Sequence, residues 1–177
     1  LLAERLRATL PSIEEFIRVV QHDRVQRVPG KAIFLTGSSD LAPPSLLHNL
    51  KHNQIVHAEV AFLTIETEDV PRVGEERRAE VRALGDGFYK VTARYGFMED
   101  PSVPEVLLAC AKQGMDFPLE RVSFFLSRQR FLPRHQKAMG LWRQRIFSLL
   151  TRNTLGATAY FRIPPGQVVE LGSQVQF

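Results

Sequence analysis

The chain has 177 residues, 44% of them hydrophobic and 24% charged, and carries a net charge of +4. That balance fits one soluble globular domain with a sizeable core and excludes a disordered or low-complexity chain. The longest apolar runs, about six residues, fall far short of the roughly 20 that a membrane-spanning helix needs. No basic start followed by an apolar core suggests a signal peptide. The chain opens Leu1-Leu2 without a methionine and is expected to be a piece of a longer protein.

The single cysteine, Cys110, sits in an apolar run from Val106 to Ala111. One cysteine forms no intrachain disulfide, which fits a reducing compartment, and apolar neighbours leave a thiol inert. Charge is unevenly spread. No Asp or Glu occurs between Arg121 and Val169, a stretch that includes Arg128, Arg130, Arg134, Lys137, Arg143 and Arg145. Acidic residues gather instead at Glu66, Glu68, Asp69, Glu75, Glu76 and Glu80. The asymmetry suggests an anionic partner for the C-terminal third, such as lipid headgroups, a nucleotide or an acidic protein surface. No nucleic-acid-binding motif accompanies the charge, so no nucleic acid is expected as a partner.

In chain order, Leu2, Leu6 and Leu10 lie four apart and could line one narrow helical stripe. Ser12 and Glu15 make an S-x-x-E capping box ahead of a helix with Ile13, Phe16, Ile17 and Val20 on its apolar face. Ala32 to Leu35 reads as a strand buried on both faces, bounded by Pro29-Gly30 and by Gly37-Ser38-Ser39-Asp40. Pro43-Pro44 opens a helix with a Leu46, Leu47, Leu50 stripe, and Val60 to Ile65 is a second buried strand. Strand, crossover helix and strand imply a parallel pair.

Val70 to Gly74 breaks regular structure, and Glu75 to Arg78 reads as solvated. Val81–Leu84 and Phe88–Tyr95 flank Gly85-Asp86-Gly87, whose Asp-Gly pair tolerates the positive φ of a tight hairpin. Tyr89, Val91, Ala93, Tyr95 and Phe97 would share one face of the second strand, with Lys90, Thr92 and Arg94 on the other. A second capping box, Ser102 with Glu105, opens a helix from Val103 to about Gln113 that Gly114 ends. Val122 to Leu126 is a further buried strand, followed by a basic excursion over residues 127–136. Lys137 to Arg152 reads as a helix with Met139, Trp142, Ile146 and Leu149 on one face, Ala157 to Phe161 as one more turn, and Val168 to Val175 as a last strand. The expected fold is α/β, a mixed and mainly parallel sheet with one antiparallel hairpin, flanked by helices.

Three features invite a chemical reading. His48 and His52 are four apart on a short helix with His57 nearby, a spacing that some zinc sites use. Asn49, Leu50 and the cationic Lys51 intervene instead of the glutamate of H-E-x-x-H, so capping and packing roles are expected and no metal. Thr36 to Asp40 lies after a strand and before a helix, where α/β sheets gather anionic ligands. It lacks both phosphate-loop signatures and reads first as an ordinary turn. Its alternative is a ligand site of Gly37, Ser38, Ser39 and Asp40 with Arg128 and Arg130. No G-x-S-x-G, reactive cysteine or acid pair announces catalysis, and no cofactor is expected. The acid-free helix around Trp142-Arg143 could lie on an anionic membrane surface, although an aromatic stripe more simply reads as core.

Several stretches together resemble one family. RVPGKAIFLT (27–36), PPSLLHNLKHN (43–53), EDVPRV (68–73), GFYKVTARYGFMEDPSVP (87–104), SFFLSRQ (123–129), YFRIPP (160–165) and IPPGQVVELGSQVQF (163–177) run in the order found in the cytoplasmic C-terminal region of Kup (KUP/HAK/KT) potassium uptake transporters. The resemblance implies a universal-stress-protein-like α/β domain over residues 27–177, with residues 1–26 a linker and helix leading from the membrane part. It further implies a place on the cytoplasmic face of the cell membrane, near anionic inner-leaflet lipid. The associated activity is potassium uptake, in many members by symport with protons. A regulatory or assembly role, a homodimer and contact with the membrane part follow from the same resemblance. Some members bind cyclic di-AMP, so a nucleotide sensor is the alternative function, and a stand-alone phosphohydrolase or cyclase a further one. No ion ligand can be carried over to any position here.

Overall fold

The computed structural model describes residues 10–129 and 157–173. Its elements in chain order are α1 (Ile13–His22), β1 (Gln26–Leu35), α2 (Pro44–Asn53), β2 (Ile55–Glu68), β3 (Ala79–Gly85), β4 (Phe88–Gly96), α3 (Val103–Ala111), β5 (Val122–Gln129), α4 (Ala157–Tyr160) and β6 (Val168–Ser173). The expected helix over 137–152 and the N-terminal leucine stripe at Leu2 and Leu6 lie outside the described residues. The strands form one six-stranded sheet in the order β3-β4-β2-β1-β5-β6. All neighbours are parallel except the β3–β4 hairpin. This is the mixed α/β sheet expected from the strand–helix alternation.

Because successive strand residues point to opposite faces, each central strand feeds two cores. One contains Ala32 and Phe34 of β1 and Phe62 of β2, beneath α1 and α2. The other contains Ile33, Ala61, Leu63 and Phe124 beneath α3. Phe34 is in register with both Phe62 and Phe125, and its ring stacks on Phe125 at 4.5 Å between centroids. On the same face Phe16 of α1 meets Phe88 edge-on at 6.3 Å. Helix α1 is therefore part of the core, with Ile13, Phe16, Ile17 and Val20 all buried.

Several local expectations hold in detail. Ser12 Oγ accepts from the Glu15 amide at 3.1 Å, capping α1. Asp86 and Gly87 take φ of +51° and +76°, as the tight hairpin requires. Val91, Ala93 and Tyr95 are buried against α3. Gly114, at φ +89°, follows the end of α3. Others change. Strands β1 and β2 start earlier than their apolar runs, and β1 carries an irregularity between Val28 and Lys31 where Gly30 sits at φ +120°. The Ser102 side chain makes no cap hydrogen bond. Its backbone is instead held by Tyr95, whose hydroxyl accepts from the Ser102 amide at 3.0 Å and donates to the Ser102 carbonyl at 2.9 Å. Phe97 leaves the buried face of β4 and is exposed in the turn that follows.

Candidate functional site

Five of the six strands are parallel, so the ends of β1, β2 and β4 deliver their loops to one edge of the sheet. From β1 the chain passes through α2 to β2 on one side, whereas β5 lies on the other side and pairs onward to β6. The gap between β1 and β5 is thus the topological switch point, where ligands of open α/β sheets collect.

The Thr36–Asp40 loop leaves β1 beside that gap and is held both by its own hydroxyls and by bonds to β2, β4 and α1. Thr36 Oγ1 donates to the Ser38 carbonyl at 3.0 Å and accepts from the Ser38 amide at 3.2 Å. The Asp40 carboxylate accepts from Lys90 Nζ at 2.8 Å, which pulls its pKa below the usual value. The Asp40 carbonyl accepts from the Ile13 amide at 2.9 Å, tying the loop to the start of α1. A Cβ placed on Gly37 would meet nothing within 4 Å, so that flank is open.

Helix α2 offers less than its position suggested. Pro43 and Pro44 have no N–H, the Ser45 amide donates to Ser127 Oγ of β5 at 3.0 Å, and the amides of Leu46 and Leu47 both turn to the Pro43 carbonyl. Those first-turn donors are engaged within the protein. Any anion at this edge would have to be held by the Gly37–Asp40 loop and by cationic side chains. Arg128 lies in β5 in register with Gly172, while its side chain and all of Arg130 lie outside the described residues.

A second cluster was not visible in the sequence. Arg78, read as solvated, is half-buried against Glu99, with side-chain exposures of 12% and 16%. Glu99 also accepts from the amides of Val73 at 2.9 Å and Gly96 at 2.7 Å. The Arg78 guanidinium donates to the carbonyls of Val73 and Arg94, both at 3.0 Å, and lies 4.3 Å from the centre of the Tyr95 ring. Hydrogen bonds from Arg78 and from the two amides hold the Glu99 carboxyl down at about 2. The lock joins the loop after β2 to the turn after β4. There Phe97 and Met98 donate their amides to the carbonyls of Val70 and Pro71. Gly96 permits the approach, since a Cβ on it would lie 2.3 Å from the Pro71 carbonyl oxygen. A pair 21 residues apart matches no spacing rule for either helix or strand. Its one sequence signal is that EDVPRV and GFMEDPSVP both follow strand ends.

The remaining candidates resolve as packing or ion pairing. Arg94 is surrounded by Glu80 at 2.7 Å and by Glu66 and Glu68, each at 3.8 Å. The His48 and His52 rings stack at 5.6 Å. His57 sits on β2 edge-on to Phe125, and burial lowers its pKa. No group of three His, Cys, Asp or Glu among the described residues is arranged to hold a metal. Cys110 is fully buried, and burial pushes its thiol up to about 12.

Comparison with known proteins identifies this arrangement. The family model described as "K+ potassium transporter C-terminal domain" matches residues 29–177. The chain belongs to that family. The Kup protein of Myxococcus xanthus, described as a probable potassium transport system protein, is 47% identical over 176 residues, covering 99% of this chain and 27% of the relative. Its counterpart in Chlorobium phaeobacteroides is 44% identical over the same length, covering 28% of that protein. Kup 1 of Paramagnetospirillum magneticum is 49% identical over 152 residues. No solved structure matches. The chain thus spans about a quarter of the length of these Kup relatives. Among its described residues no helix is long and apolar enough to cross a membrane. Two of the stretches that carry the Kup resemblance, 68–73 and 87–104, are the ones that Glu99 and Arg78 bring together.

Proposed function

We propose that this domain is a non-catalytic regulatory and assembly module of a potassium uptake transporter. In this reading it works on the cytoplasmic face of the cell membrane, beside the membrane part of the same polypeptide, in a transporter that couples potassium entry to protons. The family match over residues 29–177 carries the reading. The lock between the loops after β2 and β4 supports it, because a rigid loop surface suits contact with another part of an assembly better than turnover. The basic residues between 121 and 169 would suit a domain beneath an anionic leaflet. An assembly module of this kind brings two copies together. Sedimentation of the domain is therefore expected to show a dimer, and a monomer at every accessible concentration would remove the assembly role.

A second reading, a nucleotide sensor, is favoured by the open flank of Gly37 at the switch point. Gly37, Ser38, Ser39 and Asp40 would contact the ligand, with Arg128 and Arg130 meeting its phosphates. Calorimetric titration with cyclic di-AMP, ATP and ADP decides it: saturable heat is the expected result for a sensor, and none at millimolar ligand ends the reading for those compounds.

A further inference from the structure

The chain enters the domain across the segment that follows β1. Ser12 forms a β-bridge with Leu41. The Ile13 amide donates to the Asp40 carbonyl and the Ala42 amide to the Pro11 carbonyl, both at 2.9 Å. That pattern makes Ser12 and Leu41 a non-hydrogen-bonded antiparallel pair, the kind whose Cα atoms lie about 4.5 Å apart. Immediately after the bridge the chain is committed to the core, because Ile13 and Phe16 of α1 are buried. Immediately before it Leu10 is exposed, as is Leu41 across the bridge. Two hydrogen bonds flanked by exposed side chains form a contact that opens at lower cost than the core.

The contact is keyed to the sheet at Asp40. Its carbonyl holds Ile13, while its carboxylate accepts from Lys90 of β4. The Lys90 side chain is 19% exposed and that of Asp40 78%, so Lys90 is the anchored partner and Asp40 the movable one. An ion pair this open on one side contributes little and is easily broken. Asp40 also ends the Gly37–Asp40 loop, so a shift of that loop passes to Leu41 and Ala42, which meet the entering chain. The family is described as a C-terminal domain, and its Kup relatives are more than three times as long as this chain. The larger part of such a protein therefore precedes the domain. We infer that residues 10–12 and 40–42 form a latch whose opening and closing is how the domain acts on transport. Closed, it fixes the direction in which the preceding, membrane part joins the domain. Open, it frees the entering chain as far as the start of α1. The inference rests on the regulatory reading above and gives it a moving part.

The test uses the full-length transporter in membrane vesicles, with cysteines outside this domain replaced. Cys110 stays silent because it is buried. The double variant Ser12→Cys, Leu41→Cys places two thiols within disulfide reach, so an oxidant should close the latch covalently and a reductant reopen it. Rubidium uptake is expected to change several-fold on oxidation and to return on reduction, with neither single variant responding. A second arm reads the latch itself. Lys90→Met removes the charge that holds Asp40, and maleimide labelling of Ser12→Cys should then be several-fold faster than with Lys90 in place. Failure of the disulfide to form would overturn the inference, since a closed latch brings the two thiols together. So would uptake unchanged by a disulfide that does form, or labelling at position 12 indifferent to Lys90. Each of these results leaves the regulatory reading standing, because that reading is decided by transport after removal of the whole domain.

Discussion

Glu99 receives hydrogen bonds from two backbone amides and from both terminal nitrogens of Arg78. Removing one partner of this half-buried ion pair leaves an uncompensated charge, which costs about 3 kcal/mol, the low end of what a fully buried pair costs. Arg78→Met should therefore lower the melting temperature by about 6–12 °C for a chain of this size, readable by calorimetry. The pH dependence has a definite sign. The folded carboxyl titrates at about 2 against an ordinary 4.5, so the unfolded chain takes up the proton first as pH falls. The pair's contribution is complete above about 4.5 and is lost progressively towards about 2. Glu99→Gln should flatten that part of the stability–pH curve, and an unchanged slope would contradict the assignment. Tyr95→Phe removes the hydroxyl that serves both backbone groups of Ser102. The Ser102 carbonyl keeps the Val106 amide, but leaving the buried Ser102 amide unpaired should cost about 1–3 kcal/mol in denaturant titration.

Among the elements, β3 is an edge strand, and edges invite pairing with other chains. Gln113, just beyond α3, blocks part of this one. Its side-chain amide donates to the Ala79 carbonyl at 2.7 Å and accepts from the Val81 amide at 3.2 Å. Gln113→Ala should expose those groups and produce concentration-dependent self-association beyond that of the wild type, measured by sedimentation velocity. At the other end of the hairpin, Gly87 combines φ +76° with a position where a Cβ would lie 2.3 Å from the Ala58 carbonyl oxygen. Gly87→Ala should destabilise the fold by at least about 2 kcal/mol, from left-handed backbone strain together with overpacking.

The same elements show what a sequence can disclose. The hairpin was legible because Asp86-Gly87 declares its own backbone geometry. Helix α1 was legible because its cap and its apolar stripe are both local. Ser102 misled, since a serine three residues before a glutamate looks the same whether its hydroxyl caps a helix or its backbone serves a tyrosine from another strand. The Arg78–Glu99 lock and the Ser127 cap on α2 join residues whose proximity exists only after the sheet has formed. For that reason the Gly37–Asp40 loop could be proposed as a phosphate site, while the engagement of α2's first amides by Ser127 and Pro43 could not be foreseen.

For the whole molecule, two cores on opposite faces of one sheet secure the scaffold, and the parallel topology concentrates the loops on one edge. Sequence likeness assigns the scaffold to a potassium transporter family. The central claim is that this module governs transport and assembly without carrying out chemistry of its own. The measurement that tests it most directly is rubidium uptake, with oligomeric state read in parallel, in cells expressing the full-length transporter or a version truncated before Leu10. The truncated protein is expected to reach the membrane but to show uptake altered several-fold, with its dimer lost in detergent extracts. Identical uptake and identical assembly with and without the domain would contradict the account.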